Sequence, residues 1–172
     1  MAENELNAVF KKVVEESAKS IAHLGFKRNG LKISKCLDGN CALIEFQKSR
    51  DNTADRIKFT INLAVICGKL LELFQPPLEK AGSADSHFWN RIGGLLGGEP
   101  DKWWELTPST NEKVLMNEIS SLVREKAAPY VLQYVRSDAL IQLWKSGKSP
   151  GLTHKQRLQY LKRLEGDAST SQ

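Results

Sequence analysis

Hydrophobic side chains recur at three- and four-residue spacing over residues 5–24, where Leu6, Phe10, Val13, Val14, Ile21 and Leu24 mark one face and Lys11, Lys12, Glu15, Glu16 and Lys19 the other. That spacing predicts an amphipathic helix, with Gly25 placed to end it. The rhythm then changes to two. Residues 31–37 alternate, Asp38-Gly39-Asn40 reads as a turn, and residues 41–48 set Ile44 and Phe46 against Glu45 and Gln47. Residues 56–66 carry the clearest alternation, Ile57, Phe59, Ile61, Leu63 and Val65 against Lys58, Thr60, Asn62 and Ala64. Such a pattern predicts strands with one packed face and one more polar face. Further along, residues 69–74 suggest a short helix ended by Pro76-Pro77, residues 88–96 a strand, and residues 102–106 another. In that last strand Trp103 and Trp104 must point to opposite sides, one indole into the core and the other to a second layer or solvent.

Ser109 or Thr110 is expected to cap a long helix through Val114, Leu115, Ile119, Leu122 and Val123, bent or restarted at Pro129. Two short helices are expected at residues 138–145 and 153–164. Strands joined by short turns imply antiparallel pairing. The expected fold is α+β: an antiparallel sheet of about five strands, helices packed mainly on one face, and a small helical C-terminal extension. The expected organisation is an α+β domain over residues 1–135, a basic helical extension over 136–166, and a disordered tail over 167–172.

Composition narrows the picture. The 172 residues are 41% hydrophobic and 26% charged, which fits one globular domain able to bury its own core. The longest clean apolar run, Leu63-Ala64-Val65-Ile66-Cys67, falls far short of the ~20 residues of a membrane span. The polar, acidic first residues lack a signal-peptide layout, so a cytoplasmic location without membrane contact is expected. Cys36, Cys41 and Cys67 are then read as free thiols, with a Cys36–Cys41 bond across the turn as the alternative on oxidation. The three cysteines and three histidines show no paired spacing, so no metal and no cofactor is implied. Charge is uneven: residues 136–172 hold seven Lys or Arg against three Asp or Glu, most of the net +5.

Several short segments occur together in a recognisable order: Leu24-Gly25-Phe26-Lys27-Arg28, Phe46-Gln47-Lys48-Ser49-Arg50, Phe59-Thr60-Ile61-Asn62-Leu63, Arg91-Ile92-Gly93, Asp101-Lys102-Trp103-Trp104 and Ala128-Pro129-Tyr130. On these, residues 8–135 resemble the domain of unknown function 4304 family. The resemblance implies a bacterial α+β domain without an assigned activity, and similar small domains act in toxin neutralisation or other protein interaction. It does not cover the chain beyond about residue 136.

Candidate chemistry follows from the alternation. Glu45, Gln47, Thr60 and Asn62 project from the polar side of two strands, with Arg91 joining from another. Lys48, Arg50 and Arg56 form a basic rim suited to carboxylates or phosphates. The residues expected to contact a ligand or partner are Gln47, Lys48, Arg50, Asn62, His87 and Arg91, and none is assigned a catalytic role. A metal-dependent nuclease would need Glu45 and Lys48 on one face, and the two-residue period separates them. The leading reading is a noncatalytic binding or interaction domain whose partner is an unidentified protein or small ligand. One alternative is a metal-dependent enzyme acting on nucleic acid or phosphate esters through Glu45 and His87. The other is binding of nucleic acid or an acidic partner by Lys155, Arg157, Lys162 and Arg163 of the basic tail.

Overall fold

A computed structural model describes residues 2–169. Six strands form one antiparallel sheet: β1 (Lys27–Asn29), β2 (Lys32–Leu37), β3 (Asn40–Lys48), β4 (Ile57–Cys67), β5 (Phe88–Arg91) and β6 (Trp104–Leu106). The order is β1-β2-β3-β4-β5. β6 shares the far edge of β4 with β5, meeting Ile57–Phe59 while β5 meets Asn62–Val65. The expected alternation is present, and its odd positions on β4 all face the helices. The fold is α+β, as expected, with β1 added to the anticipated strands.

Helices cover that odd face. α1 (Ala2–Ile21) lays Leu6, Phe10, Val13 and Val14 over the sheet. A 3-10 turn, Ala22–Leu24, follows it, and Gly25 closes that turn with φ +88°. α2 (Glu112–Leu122) passes through a π-helical turn (Val123–Ala127) into α3 (Ala128–Tyr134) without leaving helical dihedrals. Pro129 is therefore neither a break nor a restart. It lacks an N–H and crowds the carbonyl four residues back, and the wider π turn relieves both problems. The cap of α2 is Asn111, whose Oδ1 accepts from Val114 N–H at 3.1 Å, not Ser109 or Thr110. Phe59 sits at the centre of this layer, its ring 5.1 Å from Phe10, 6.2 Å from Phe46 and 5.8 Å from Trp104.

α4 (Ser137–Ser146) and α5 (His154–Ser169) extend the layer along the same face, where Leu140, Trp144 and Leu164 pack on Val65, Cys67 and Phe88. The corner between α3 and α4 is fastened to the β2–β3 hairpin. Buried Asn40 donates to the Val135 carbonyl at 2.8 Å and to Ser137 Oγ at 3.0 Å, and Arg136 pairs with Asp38 at 3.2 Å. α5 runs to Ser169, into the segment expected to be disordered; residues 170–172 of that segment lie outside the described residues.

Three further expectations change. Cys36 and Cys41 are joined as a disulfide because the hairpin register sets them directly opposite, Cα to Cα 4.0 Å, while Cys67 remains a free, buried thiol. The helix expected at residues 69–74 reduces to a 3-10 turn at Gly68–Leu70, since Leu71 is already extended ahead of Pro76-Pro77. The strand expected over 88–96 stops at Arg91 and becomes a 3-10 turn, Ile92–Leu95.

Among the described residues no α-helix covers the even face of the sheet, only a 3-10 turn at Ser83–Asp85. Half of it is roofed by the irregular segment 71–87, which sets Ala81, Leu71 and Leu78 on Leu43, Ala64 and Ile66. Lys32 Nζ reaches up to the Ala81 carbonyl at 2.9 Å, and Ser83 N–H donates to Glu45 Oε2 at 3.0 Å. The roof ends there, and the remainder of the even face is polar.

Candidate functional site

Strand register builds the site. Lys32, Glu45, Asn62 and Arg91 stand directly opposite one another in a row across β2, β3, β4 and β5, and Gln47 stands opposite Thr60 in the neighbouring row. Because side chains alternate, all six share the even face. Lys32 and Glu45 are occupied by the roof. Beyond it lies an open concavity of about 320 Å³ whose walls include Leu31, Glu45, Gln47, Lys48, Asn62 and Ser83.

Asn62 is 4% exposed although it carries an amide on a polar face. Its Nδ2 donates to Gln47 Oε1 at 2.8 Å, and its Oδ1 is buried and accepts no hydrogen bond from any described residue. Beside it in the row, Arg91 Nε is also buried and donates to no described residue. The rest of the Arg91 guanidinium is held firmly. It pairs with Asp101 and lies 5.2 Å from the Trp103 ring and 5.5 Å from the Trp89 ring. Lys58 Nζ lies 5.6 Å from the Trp103 ring centroid. The hydrogen bonds from Arg91, then from Trp103, hold the Asp101 carboxyl below the usual carboxylate range. Asp101 is thus a fixed anion that orients Arg91.

Gly93 explains how the 99–102 segment comes close enough to do this. A Cβ at Gly93 would lie 2.4 Å from the Pro100 carbonyl oxygen and 2.7 Å from both Glu99 O and Lys102 N, all backbone atoms. Thr60 Oγ1 ties the same segment to β4 by donating to the Lys102 carbonyl at 2.7 Å. Gly93→Ala is expected to lower stability by about 1–3 kcal/mol by overpacking and to shift the Trp103 indole signal. Urea unfolding and ¹H–¹⁵N spectra check this; an unshifted indole would mean that the segment does not depend on Gly93.

The six nominated residues do not form one site. Gln47, Asn62 and Arg91 come together. Lys48 borders the same concavity as Gln47 and Asn62, but its Nζ turns to the helix face, where it donates to Asn7 Oδ1 at 2.5 Å and lies 4.9 Å from the Phe10 ring centroid. Arg50 sits in the exposed turn after β3. His87 is buried near the far end of β4, where its Nδ1 accepts from Cys67 N–H at 3.1 Å and its ring meets Tyr160 edge-on at 5.2 Å. Burial pushes its pKa down to about 4, so it is neutral near pH 7. Cys67 lies five residues from Asn62, roughly 17 Å along an extended strand. Glu45 and His87 are therefore not brought together. In the basic tail, Arg163 fastens α5 to the segment after β4, binding Glu72 at 2.6 Å and the Leu70 carbonyl at 3.3 Å, and Arg157 fastens the turn between α4 and α5, binding the Gly147 carbonyl at 2.5 Å.

Trp103 is the site residue that the sequence did not nominate. Its signal was the adjacent pair of tryptophans: Trp104 is 6% exposed and stacks on Phe59, which turns Trp103 outward.

Fold and site together define an α+β domain with helices on one sheet face and a half-roofed polar concavity on the other. The chain belongs to the family described as Domain of unknown function (DUF4304), which matches residues 18–133. No curated protein and no solved structure matches it. No helix among the described residues is long and apolar enough to cross a membrane.

Proposed function

We propose that the protein is a noncatalytic recognition domain that binds an amide-bearing ligand or peptide on the open part of its even sheet face. The observation that carries this reading is the Asn62–Arg91 pair: a buried acceptor and a buried donor, neighbours in one strand row, each without a partner among the described residues. Leaving a buried polar group unpaired costs about 1–3 kcal/mol, and such groups are few in folded proteins. A secondary amide offers an N–H to Asn62 Oδ1 and a carbonyl to Arg91 Nε. Exposed Gln47 forms the movable lip, since its bond to Asn62 can be exchanged for one to the ligand. Arg91 is suited to this role because Asp101, Trp89 and Trp103 hold it in place before any ligand arrives.

The test uses ¹⁵N-labelled protein titrated with N-acetyl dipeptide amides. Perturbations are expected at the Gln47 and Asn62 side-chain amides and at the Trp103 indole. Asn62→Leu supplies the second arm. An apolar replacement removes an unpaired group, so the variant should be as stable as the parent or more so, and should no longer respond to the peptides. A clearly destabilised Asn62→Leu, or titration shifts confined to other surfaces, would remove the basis of the proposal.

A further inference from the structure

A second concavity lies on the other side of the sheet, at the end of the molecule where α1 crosses β1 and the start of β2. It measures about 340 Å³. Phe10 and Val14 of α1, both buried, contribute apolar wall together with half-buried Leu31 in the β1–β2 turn. Three cations from three different elements stand around it: Lys11 of α1, Arg28 of β1 and Lys48 of β3. Among the described residues no acidic side chain lines it. The nearby carboxylates of α1 are engaged elsewhere, since Glu15 and Glu16 both pair with Lys19, at 3.3 and 2.9 Å. Arg28 spends one nitrogen on the Gly30 carbonyl at 3.1 Å, which curls its guanidinium back over the turn, and neither Arg28 nor Lys11 has a carboxylate partner among the described residues.

We infer that this concavity binds an amphiphilic monoanion, a carboxylate carrying an apolar body of medium length. The argument rests on complementarity of two kinds. An apolar recess gains free energy by shedding water onto apolar matter, and a recess whose polar rim is cationic and lacks an acid discriminates for an anionic head. Lys11 and Arg28 take the head. Arg28 offers a planar fork matched to a carboxylate, Lys11 a mobile point charge. The body lies along half-buried Leu31 and the aliphatic stems of Lys11, Arg28 and Lys48, over a floor closed by buried Phe10 and Val14. At ~30 Å³ for each water-sized group, the space admits on the order of ten non-hydrogen atoms, the size of a medium-chain fatty acid. Leu31 and Lys48 also line the concavity of the even face, so the two adjoin at this margin; Lys11 and Arg28 belong to this one alone and Gln47 and Asn62 to the other, which lets the two readings be tested apart.

The probe is octanoate, with octan-1-ol and acetate as the arms that separate body from head. Titration of ¹⁵N-labelled protein with octanoate should shift the backbone signals of Lys11, Arg28, Gly30 and Leu31 and leave the Gln47 and Asn62 side-chain amides in place. Octan-1-ol and acetate should each bind at least tenfold more weakly. Lys11→Gln combined with Arg28→Gln, at two exposed positions, should leave the melting temperature unchanged and weaken octanoate about tenfold. Octan-1-ol binding as tightly as octanoate, acetate binding as tightly, or indifference of octanoate to the double variant would each overturn the proposal.

Discussion

Phe59→Ala will unfold the protein about 10 °C below the parent. Phe59 is completely buried, in contact with Phe10 and Phe46 and stacked on Trp104. It is therefore the ring through which α1, the middle of the sheet and β6 meet. Removing a buried phenylalanine loses the transfer energy of the ring and leaves a cavity that a packed layer fills only in part, about 3–5 kcal/mol together. A chain of this size loses roughly 2–4 °C per kcal/mol. Phe59→Leu, which keeps most of the volume, should cost less than half as much. Thermal unfolding followed by circular dichroism reads both. A loss of only a few degrees for the alanine variant would mean that α1 does not rest on this aromatic group.

Acid should destabilise the protein through His87 before most carboxylates begin to protonate. Burial dominates its depressed pKa. The Leu70 carbonyl bond, Glu72 and Asp85 oppose the shift, and Arg163 adds to it. In the unfolded chain histidine titrates near the ordinary ~6.5; in the folded protein it titrates near about 4. Above pH 6.5 both states are neutral and His87 adds no pH dependence. As pH falls from 6.5 toward 4, the unfolded state takes up a proton that the folded state refuses, and stability declines. Below 4 both states are protonated and this contribution levels off. The gap corresponds to about 3 kcal/mol at ~1.4 kcal/mol per pH unit. His87→Asn keeps an acceptor for the Cys67 N–H and removes the titration. Urea midpoints measured between pH 7 and pH 4 should therefore fall more steeply in the parent than in the variant. Parallel curves would show that His87 is hydrated and titrates normally.

How far the sequence could be read depended on the range of the interactions involved. β3 and β4 were legible from the period of two, because alternation is local and one buried face enforces it. The same rhythm placed Glu45, Gln47, Thr60 and Asn62 on one side and assigned one of the paired tryptophans to the core. It also set the Lys48 side chain on the face opposite to Gln47, where its Nζ meets Asn7 and Phe10. What stayed hidden depends on segments meeting at long range. Nothing local announces that Gly93 admits the backbone of Glu99–Lys102, so the pairing of Asp101 with Arg91 could not be foreseen. The segment 71–87 roofs half of a polar face with little regular structure, and irregular segments leave no period to detect. Cys36 and Cys41 become partners only once the hairpin register is known. His87 carried the residue type of a general base; the contacts with Cys67 and Tyr160 that make it structural come from elements far apart in the chain.

The two longest strands, β3 and β4, both lie inside the sheet, whose margins are formed by β1, β5 and β6, of three, four and three residues. A margin that short offers a neighbouring molecule few consecutive amide groups on which to add a strand. Polymerisation by sheet extension is thereby discouraged at both ends, and solutions of the folded protein should stay monodisperse at concentrations where a long bare margin would seed fibrils.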